Sequence, residues 1–214
     1  KLRKVRKVNM TFKEEIDKLE NAKIENTYLI KKGSIPIILT APHTMKQRKK
    51  DGSIKLNEPF TKAIAKYVSN KTGCSYLIKQ RATKIDSNWE EVDDFKLLLE
   101  RFIHEHEVKL LIDIHGASSR REFDVELGTL NNLSVRHSTI KSLRNAFFES
   151  GIYEIALNNP FKGGGITKYI FGKTEIDVIQ IEINGKYRNI NNAENMERLC
   201  NALIKFIRKY VSNC

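Results

Sequence analysis

The stretch VKLLIDIHG, residues 108–116, decides the fold of this chain. Five of its first seven residues are apolar, and only Lys109 and Asp113 interrupt them. A strand of a parallel sheet that helices cover on both faces has such a nearly continuous apolar sequence. We therefore predict that residues 108–114 form a central strand that is buried on both faces.

Short β-branched runs and helical stretches alternate on both sides of this strand. The runs lie at residues 35–39, 75–79, 153–157 and 178–183, and the helical stretches at 11–22, 58–70, 90–106, 135–150 and 192–210. Such alternation is typical of a mainly parallel sheet with helices on both faces. The sequence thus predicts an α/β fold. We also expect a hairpin over residues 27–39 at one sheet edge, with its turn at residues 31–34.

Size and composition suit one compact domain at residues 10–214 that follows a basic, flexible arm at residues 1–9. The chain has 214 residues, 40% of them hydrophobic, so it can bury a core without disulfides or a structural metal. No apolar run approaches the length of about 18 residues that a transmembrane helix needs. We therefore expect no membrane partner.

The chain carries a formal net charge of +12, and five of these positive charges come from Lys1, Arg3, Lys4, Arg6 and Lys7 in the arm. Such an excess attracts anions, which include nucleic acids, acidic membranes and small acidic substrates. The charge by itself does not choose among them.

The cysteine content indicates a reducing compartment. Cys74, Cys200 and Cys214 form no CxxC motif, and their odd number is typical of reduced thiols rather than of a disulfide framework. The N-terminal residues also contain no apolar core of an intact signal peptide. We therefore expect a cytoplasmic protein.

Polar residues that follow the predicted strands are the candidates for a functional site. Ligands of open α/β sheets bind beyond the carboxyl ends of the strands. His43 follows the first of these runs, and His115 ends the central strand. Two histidines and a carboxylate are a frequent ligand set of catalytic zinc. Glu58, which we expect at the start of a helix, is the candidate third ligand.

Three further features complete this candidate site. Glu182 is an ionisable residue inside an apolar strand and is a candidate general base for a metal-activated water. Asp113 lies two residues before His115 on the same strand face, where it can orient the imidazole. The glycines at 163–165 follow Lys162 and would let the backbone approach a substrate closely.

Several segments in this order resemble the N-formylglutamate amidohydrolase family. They are Ala41-Pro42-His43, Asp113-Ile114-His115-Gly116, Leu127-Gly128-Thr129, Asn159-Pro160-Phe161-Lys162-Gly163-Gly164, Ile166-Thr167 and Val178-Ile179-Gln180-Ile181-Glu182-Ile183. The resemblance spans roughly residues 35–190, and its glycine-containing and Gln-Ile-Glu segments are the more specific ones.

The resemblance implies a three-layer α/β/α sandwich with a mainly parallel mixed sheet, similar to zinc carboxypeptidases. It implies one Zn²⁺ held by His43, His115 and an acidic residue at or near Glu58, with Glu182 as general base. The implied reaction is hydrolysis of an amide of an N-acylated acidic amino acid, catalysed by the domain at residues 10–214.

The sequence departs from the family pattern at residues 86–89. The family often has an Asp-Leu-Asn-Arg-like segment there, whereas this chain has Asp86-Ser87-Asn88-Trp89 without the arginine. Arg120 and Arg121 can supply a guanidinium instead, which would bind a carboxylate or stabilise an oxyanion. We expect Asn88 to orient the substrate or the His43 loop, and Lys162, Gly163 and Gly164 to contact the substrate.

Two other interpretations stay open from the sequence. A carboxypeptidase or a poly-γ-glutamate hydrolase would use the same zinc site with a different pocket and a peptide substrate. A basic nucleic-acid-binding module would explain the net charge and the arm. Against the module, much of the charge lies in the arm and the sequence has no recognised nucleic-acid-binding motif, so we expect no specific nucleic-acid partner.

Overall fold

A computed structural model describes residues 10–49 and 51–213 of the chain. The predicted basic arm, residues 1–9, lies outside these described residues, as does Cys214.

The described residues form nine strands and six α-helices. The strands are β1 (Tyr28–Lys31), β2 (Ile37–Ala41), β3 (Gln47–Arg48), β4 (Ile54–Lys55), β5 (Ser75–Lys79), β6 (Leu110–Ala117), β7 (Val125–Gly128), β8 (Ile155–Leu157) and β9 (Asp177–Asn184). The helices are α1 (Phe12–Glu20), α2 (Thr61–Thr72), α3 (Asp94–Glu105), α4 (His137–Phe148), α5 (Gly165–Lys173) and α6 (Ala193–Ser212).

A seven-stranded mixed sheet in the order β1-β5-β2-β6-β9-β7-β8 forms the centre of the fold. The strands β5, β2, β6 and β9 run parallel, whereas β1 is antiparallel to β5 and β7 is antiparallel to β9. The central position and complete burial of Leu110–Ile114 confirm the predicted central strand. The mainly parallel α/β fold is therefore confirmed.

The predicted hairpin over residues 27–39 is wrong. The strand β1 pairs with β5 and not with β2, because β2 already has β5 and β6 as parallel neighbours. The turn instead crosses the start of β5, where Ser34 N–H donates to the Gly73 carbonyl at 2.7 Å. Gly33 is required at this crossing because a Cβ atom there would overlap the Gly73 carbonyl oxygen.

Helices cover both faces of the sheet and give the three-layer arrangement. One apolar core contains Ile16 of α1, Ile64 of α2, Leu143 of α4 and Leu203 of α6. A second, smaller core lies on the opposite face, where Phe95 and Leu99 of α3 and Ile166 and Ile170 of α5 pack on Ile38, Leu111 and Val178. The second face holds the candidate site.

Some element boundaries differ from the predicted ones. A capping box at Thr11 begins α1 at the predicted start of the first helical stretch, and α6 begins within one residue of the predicted start of the last. The helix α2 begins at Thr61 and not at Glu58, because Pro59 and Phe60 form a turn in which Phe60 has a φ of 66°. Neither α5 nor β7 was among the predicted elements.

Among the described residues, none of the helices is both long enough and apolar enough to cross a membrane.

Candidate active site

The strands change from apolar to polar toward their carboxyl ends on the face that α3 and α5 cover. Alternate residues of a strand point to the same face, so each strand contributes one row of side chains. These rows run from Ile38 to Thr40 on β2, from Leu111 through Asp113 to His115 on β6, and from Val178 through Gln180 to Glu182 on β9. The apolar ends pack in the second core, and His115, Gln180 and Glu182 at the polar ends line a pocket.

The register of the sheet aligns these polar residues across strands. His115 of β6 lies opposite Glu182 of β9, which in turn lies opposite Glu126 of β7. In the row before it, Asp113 lies opposite Gln180. The pairing of three strands therefore brings an imidazole and two carboxyl groups next to one another.

His43, Glu58 and His115 form a buried cluster that could hold a metal ion. One ligand atom of each residue lies within 4.8 Å of the ligand atoms of the other two. The Nδ1 atoms of His43 and His115 are 3.1 Å apart, and the Nδ1 atom of His43 lies 3.0 Å from Glu58 Oε1. The structure thus brings together all three residues that the sequence indicated as metal ligands.

The other nitrogen of each imidazole contacts a carboxylate. His43 Nε2 lies 2.7 Å from Asp86 Oδ1, and His115 Nε2 lies 3.0 Å from Asp113 Oδ2. Because an ionised carboxylate only accepts hydrogen bonds, each Nε2 carries a hydrogen. The two Nδ1 atoms, 3.1 Å apart, are left to bind a proton or a metal ion beside Glu58. The predicted contact between Asp113 and His115 is confirmed.

The donor set fits a divalent metal ion. Imidazole nitrogens whose second ring nitrogen is held by a carboxylate are the usual histidine ligands of zinc, and a carboxylate oxygen completes a His₂Glu set. Burial alone would raise the pKa of Glu58, but His43 and His115 hold that pKa well below its usual value. Burial opposes charge on His115, yet Asp113 and Glu58 raise its pKa well above the usual value. The cluster therefore favours positive charge at this point.

Glu58 is held in place by backbone and side-chain contacts in the turn before α2. The Gly116 N–H donates to Glu58 Oε2 at 2.9 Å, and the Glu58 N–H donates to the His43 carbonyl at 2.8 Å. Lys55 Nζ lies 2.6 Å from Glu58 Oε1. These contacts direct the carboxylate toward both histidines. Glu58 lies three residues before α2 and not at the start of the helix, so the predicted position of Glu58 in the helix is wrong.

A pocket of about 370 Å³ opens onto the cluster and onto Glu182. Glu182 is 7% exposed, and this burial raises its pKa. Of the other residues predicted for the site, the pocket is lined by Asn88, Lys162, Gly163 and Gly164. It is also lined by residues to which the sequence had assigned no role: Lys49, Lys55, Asp86, Trp89, Pro160, Phe161 and Gln180.

The glycine loop, residues 162–165, packs directly on the sheet. Gly163 has a φ of +106°, which favours glycine, and a Cβ atom on Gly128 would lie 2.5 Å from the Gly163 nitrogen. Asn88 binds this loop from the other side, since its backbone carbonyl and its Oδ1 accept hydrogen bonds from the N–H groups of Gly165 and Ile166. Asn88 thus caps α5, and its own N–H donates to Asp86 Oδ1, the atom that contacts His43 Nε2.

Arg120 and Arg121 do not line this pocket. Both are exposed and border a neighbouring cavity that shares only Pro160 with it. They lie in the turn after β6, where the Arg121 guanidinium stacks 5.2 Å from the ring centre of Phe161. The guanidinium near the cluster belongs to Arg188, which donates to the carbonyls of Ile183, Pro59 and Ala117 at 2.8 to 3.0 Å.

Comparison with known proteins agrees with this geometry. A sequence model of the N-formylglutamate amidohydrolase family matches residues 79–187, about half of the chain. The chain belongs to the N-formylglutamate amidohydrolase family. No curated protein matches the chain by sequence.

Solved structures support the same fold. An N-formylglutamate amidohydrolase from Ralstonia eutropha JMP134 superposes with a TM-score of 0.62 at 14% identity, over 87% of this chain and 98% of that one. A bacteriophage poly-γ-glutamate hydrolase gives 0.58 at 18% identity, over 93% and 97%. An N-acetylmuramoyl-L-alanine amidase from Clostridium difficile 630 gives 0.52 at 11% identity, over 82% and 96%. At these identities the likeness establishes the fold, which is that of zinc carboxypeptidase-like enzymes.

Membership of the N-formylglutamate amidohydrolase family makes the protein an amidohydrolase, a hydrolase of carbon–nitrogen bonds. The matched segment contains Asp86, His115 and Glu182 but neither His43 nor Glu58. The fold brings these last two residues into the same pocket from outside the matched segment.

Proposed function

We propose that the protein is a zinc-dependent amidohydrolase that cleaves the amide bond of an N-acylated acidic amino acid, with N-formylglutamate as the type substrate. One observation carries the proposal. The Nδ1 atoms of His43 and His115 and the carboxylate of Glu58 converge in a pocket that also contains the buried Glu182. This is the residue set that metal-assisted amide hydrolysis needs.

His43, Glu58 and His115 would hold the zinc ion through two nitrogens and a carboxylate oxygen. When bound, Zn²⁺ polarises the scissile carbonyl and lowers the pKa of a water molecule toward about 7. Asp86 and Asp113 fix the rings so that their Nδ1 atoms face the same point.

Glu182 is the proposed general base. Its carboxylate takes the proton of the attacking water, and the resulting carboxylic acid delivers this proton to the amide nitrogen as the C–N bond breaks. A raised pKa suits this double role, because the group must both accept and release a proton near neutral pH. Gln180 Nε2 donates to Glu182 Oε1 at 2.8 Å and so stabilises the charged form.

Lysines are the proposed anchors of the substrate carboxylates. Lys49, Lys55 and Lys162 line the pocket, and among them only Lys55 makes an ion pair within the described residues, with Glu58. Because Arg120 and Arg121 lie outside this pocket, we assign carboxylate binding to Lys162 and Lys49 instead. The glycine loop supplies backbone that a substrate can approach closely.

The proposal is tested by metal analysis and hydrolysis with the purified chain. We expect about one zinc ion per chain and release of formate or free glutamate from N-formylglutamate or N-acetylglutamate. The variants H43A and H115A should lose zinc, whereas E182Q should keep zinc and lose most of the activity. Full activity of E182Q, or full zinc occupancy in both histidine variants, would overturn the proposal.

A longer substrate is the second candidate, and a second cavity favours it. A space of about 670 Å³ adjoins the pocket and shares Asn88, Trp89 and Gly164 with it. A peptide or γ-glutamyl chain can extend from the cleavage point into this space, as a carboxypeptidase or poly-γ-glutamate hydrolase would require. Hydrolysis of γ-glutamyl oligomers without hydrolysis of N-formylglutamate would favour this candidate.

We infer a cytoplasmic location and one catalytic domain over residues 10–214. The free thiols of Cys74 and Cys200 are buried, and burial raises the pKa of Cys74 to about 11. Thiols in this state suit a reducing compartment.

A further inference from the structure

Gln180 lies between the glycine loop and Glu182. Its Oε1 accepts a hydrogen bond from the Gly164 N–H at 2.6 Å, and its Nε2 donates to Glu182 Oε1 at 2.8 Å. Gln180 is 2% exposed, and both of its partners line the pocket. One amide side chain thus connects the loop that faces the substrate with the carboxylate that takes the proton.

The chemistry of the two partners fixes the orientation of the Gln180 amide. The Gly164 N–H is a donor, so it can bind only the oxygen of the side chain. This turns the NH₂ group toward Glu182, which accepts the hydrogen bond in its ionised form. Neither a carboxylate nor an apolar side chain at position 180 can make both contacts at neutral pH.

The glycine loop has little freedom to move independently of these contacts. Asn88 binds the loop on its other side through the N–H groups of Gly165 and Ile166. The packing of Gly163 on Gly128 leaves no room for a Cβ atom between loop and sheet. A displacement of the loop on binding a substrate therefore reaches Gln180 directly.

We propose that Gln180 is a positioning residue that couples the glycine loop to Glu182, so that the position of the loop sets the orientation of the general base. This inference rests on the proposed function for its catalytic consequence, whereas the coupling itself concerns three hydrogen-bonded residues and can be measured without turnover.

The coupling is tested by NMR with the full chain. The variant E182Q is compared with the unmodified chain in two backgrounds, native Gln180 and Q180M, and the amide signal of Gly164 is followed. We expect E182Q to shift the Gly164 signal in the native background and to leave it unchanged in Q180M. A shift of equal size in both backgrounds, or no shift in either, would overturn the inference.

The catalytic consequence is tested by kinetics of the zinc-loaded enzyme. We expect Q180M to lower kcat by about 10- to 100-fold, as is usual when a residue that supports a site is removed, with little change in KM or zinc content. Q80M is the matched control, because Gln80 is also buried but does not line the pocket. It should keep its kcat, and an unchanged kcat of Q180M would contradict the proposed role.

A second variant keeps the test decisive if Q180M folds poorly. Q180E has the same shape, and when protonated its carboxyl group can accept from Gly164 and donate to Glu182. We expect Q180E to be impaired at neutral pH and to recover relative to the unmodified enzyme as the pH falls. A constant ratio of the two rates across pH would count against the coupling.

Failure of the unmodified enzyme to hydrolyse any N-acylglutamate would instead refute the proposed function, and the NMR result would still decide the coupling.

Discussion

The Nδ1 atoms of His43 and His115 face each other at 3.1 Å. The Nε2 atom of His43 contacts the carboxylate of Asp86, and the Nε2 atom of His115 contacts that of Asp113. The two carboxylates leave both Nδ1 atoms directed at one point, beside Glu58. Burial opposes charge on His115, but Asp113 and Glu58 raise its pKa well above the usual value, so the surroundings favour positive charge between the rings.

Zinc should stabilise the folded protein in a pH-dependent manner. Protons and metal compete for the same imidazole nitrogens, so metal binding weakens as the pH falls, and the raised pKa of His115 strengthens this competition. We expect added zinc to raise Tm more at about pH 8 than at about pH 5.5. Thermal unfolding with zinc and with a chelator measures this, and H43A serves as the control that should show no zinc effect.

Asp86→Asn should weaken zinc binding although Asp86 is not one of the proposed ligands. The carboxylate orients His43, and burial opposes its charge while His43 lowers the pKa of Asp86 to about 2. We expect a loss of about 10- to 100-fold in zinc affinity, measured by competition with a chromogenic chelator. Asp94→Asn, at the exposed start of α3, is the matched control and should bind zinc like the unmodified chain. Equal affinities of the two variants would remove Asp86 from this role.

Glu126→Gln should stabilise the protein at alkaline pH. Glu126 is fully buried, and burial and the charge of Glu182 raise its pKa to about 8, although the backbone N–H groups of Asn159 and Phe161 oppose this shift. When folding raises the pKa of a carboxyl group, the folded protein loses stability as the pH rises from the pKa in the unfolded chain to the pKa in the folded one. For Glu126 this range is from 4.5 to about 8. We expect E126Q to be more stable than the unmodified chain by about 1–3 kcal/mol at about pH 8, with a smaller difference at about pH 5.

Chemical denaturation of the metal-free protein at both pH values measures this difference. Glu122→Gln changes an exposed carboxylate near the same strand and provides the control. A stability difference for E126Q that does not change with pH would show that Glu126 is ionised in the folded protein at both values.

Gly116→Ala should destabilise the fold and impair the metal site. A Cβ atom on Gly116 would overlap the guanidinium of Arg188, which connects the turn after Glu58 to the ends of β6 and β9. We expect a loss of about 1–3 kcal/mol in the free energy of unfolding, together with weaker zinc binding. Gly172→Ala, within α5, meets no atom within 4 Å and should be neutral or stabilising by up to about 1 kcal/mol.

Lys162→Ala should raise KM more than Arg120→Ala or Arg121→Ala does. Lys162 lines the pocket that contains Glu182, whereas both arginines border the neighbouring cavity. Lys162 is exposed, and the loss of one exposed ion pair of about 1 kcal/mol corresponds to a rise in KM of about fivefold. Steady-state kinetics with N-formylglutamate measures it, and a larger effect of either arginine would restore the role that the sequence suggested for them.

The sequence was informative where the site depends on strand ends. His43, His115 and Glu182 follow or end apolar runs, and parallel strands place their carboxyl ends at one edge of the sheet, so their convergence could be predicted. Asp113 could also be related to His115, because residues two apart on a strand share a face.

The sequence was uninformative where contacts join distant segments. The first N–H groups of α5 donate to Asn88, which lies 78 residues before Ile166, and no local pattern indicates such a cap. The contact between Asp86 and His43 spans 43 residues in the same way. The positions of Arg120 and Arg121 depend on the direction of the turn after β6, which their spacing from His115 does not determine.

The pairing of β6 with β9 has a consequence for how this enzyme can diversify. Sliding one strand by a single residue would replace Glu182 with an isoleucine opposite His115 and turn every polar group of that strand to the other side. The reactive groups of β6 and β9 are therefore inherited together with the strand alignment, and a loop that holds none of their partners can change in length without disturbing them. New substrate preferences should arise by remodelling the turn between β3 and β4, which carries Lys49, while the sheet, Asp86 and the glycine loop remain constant.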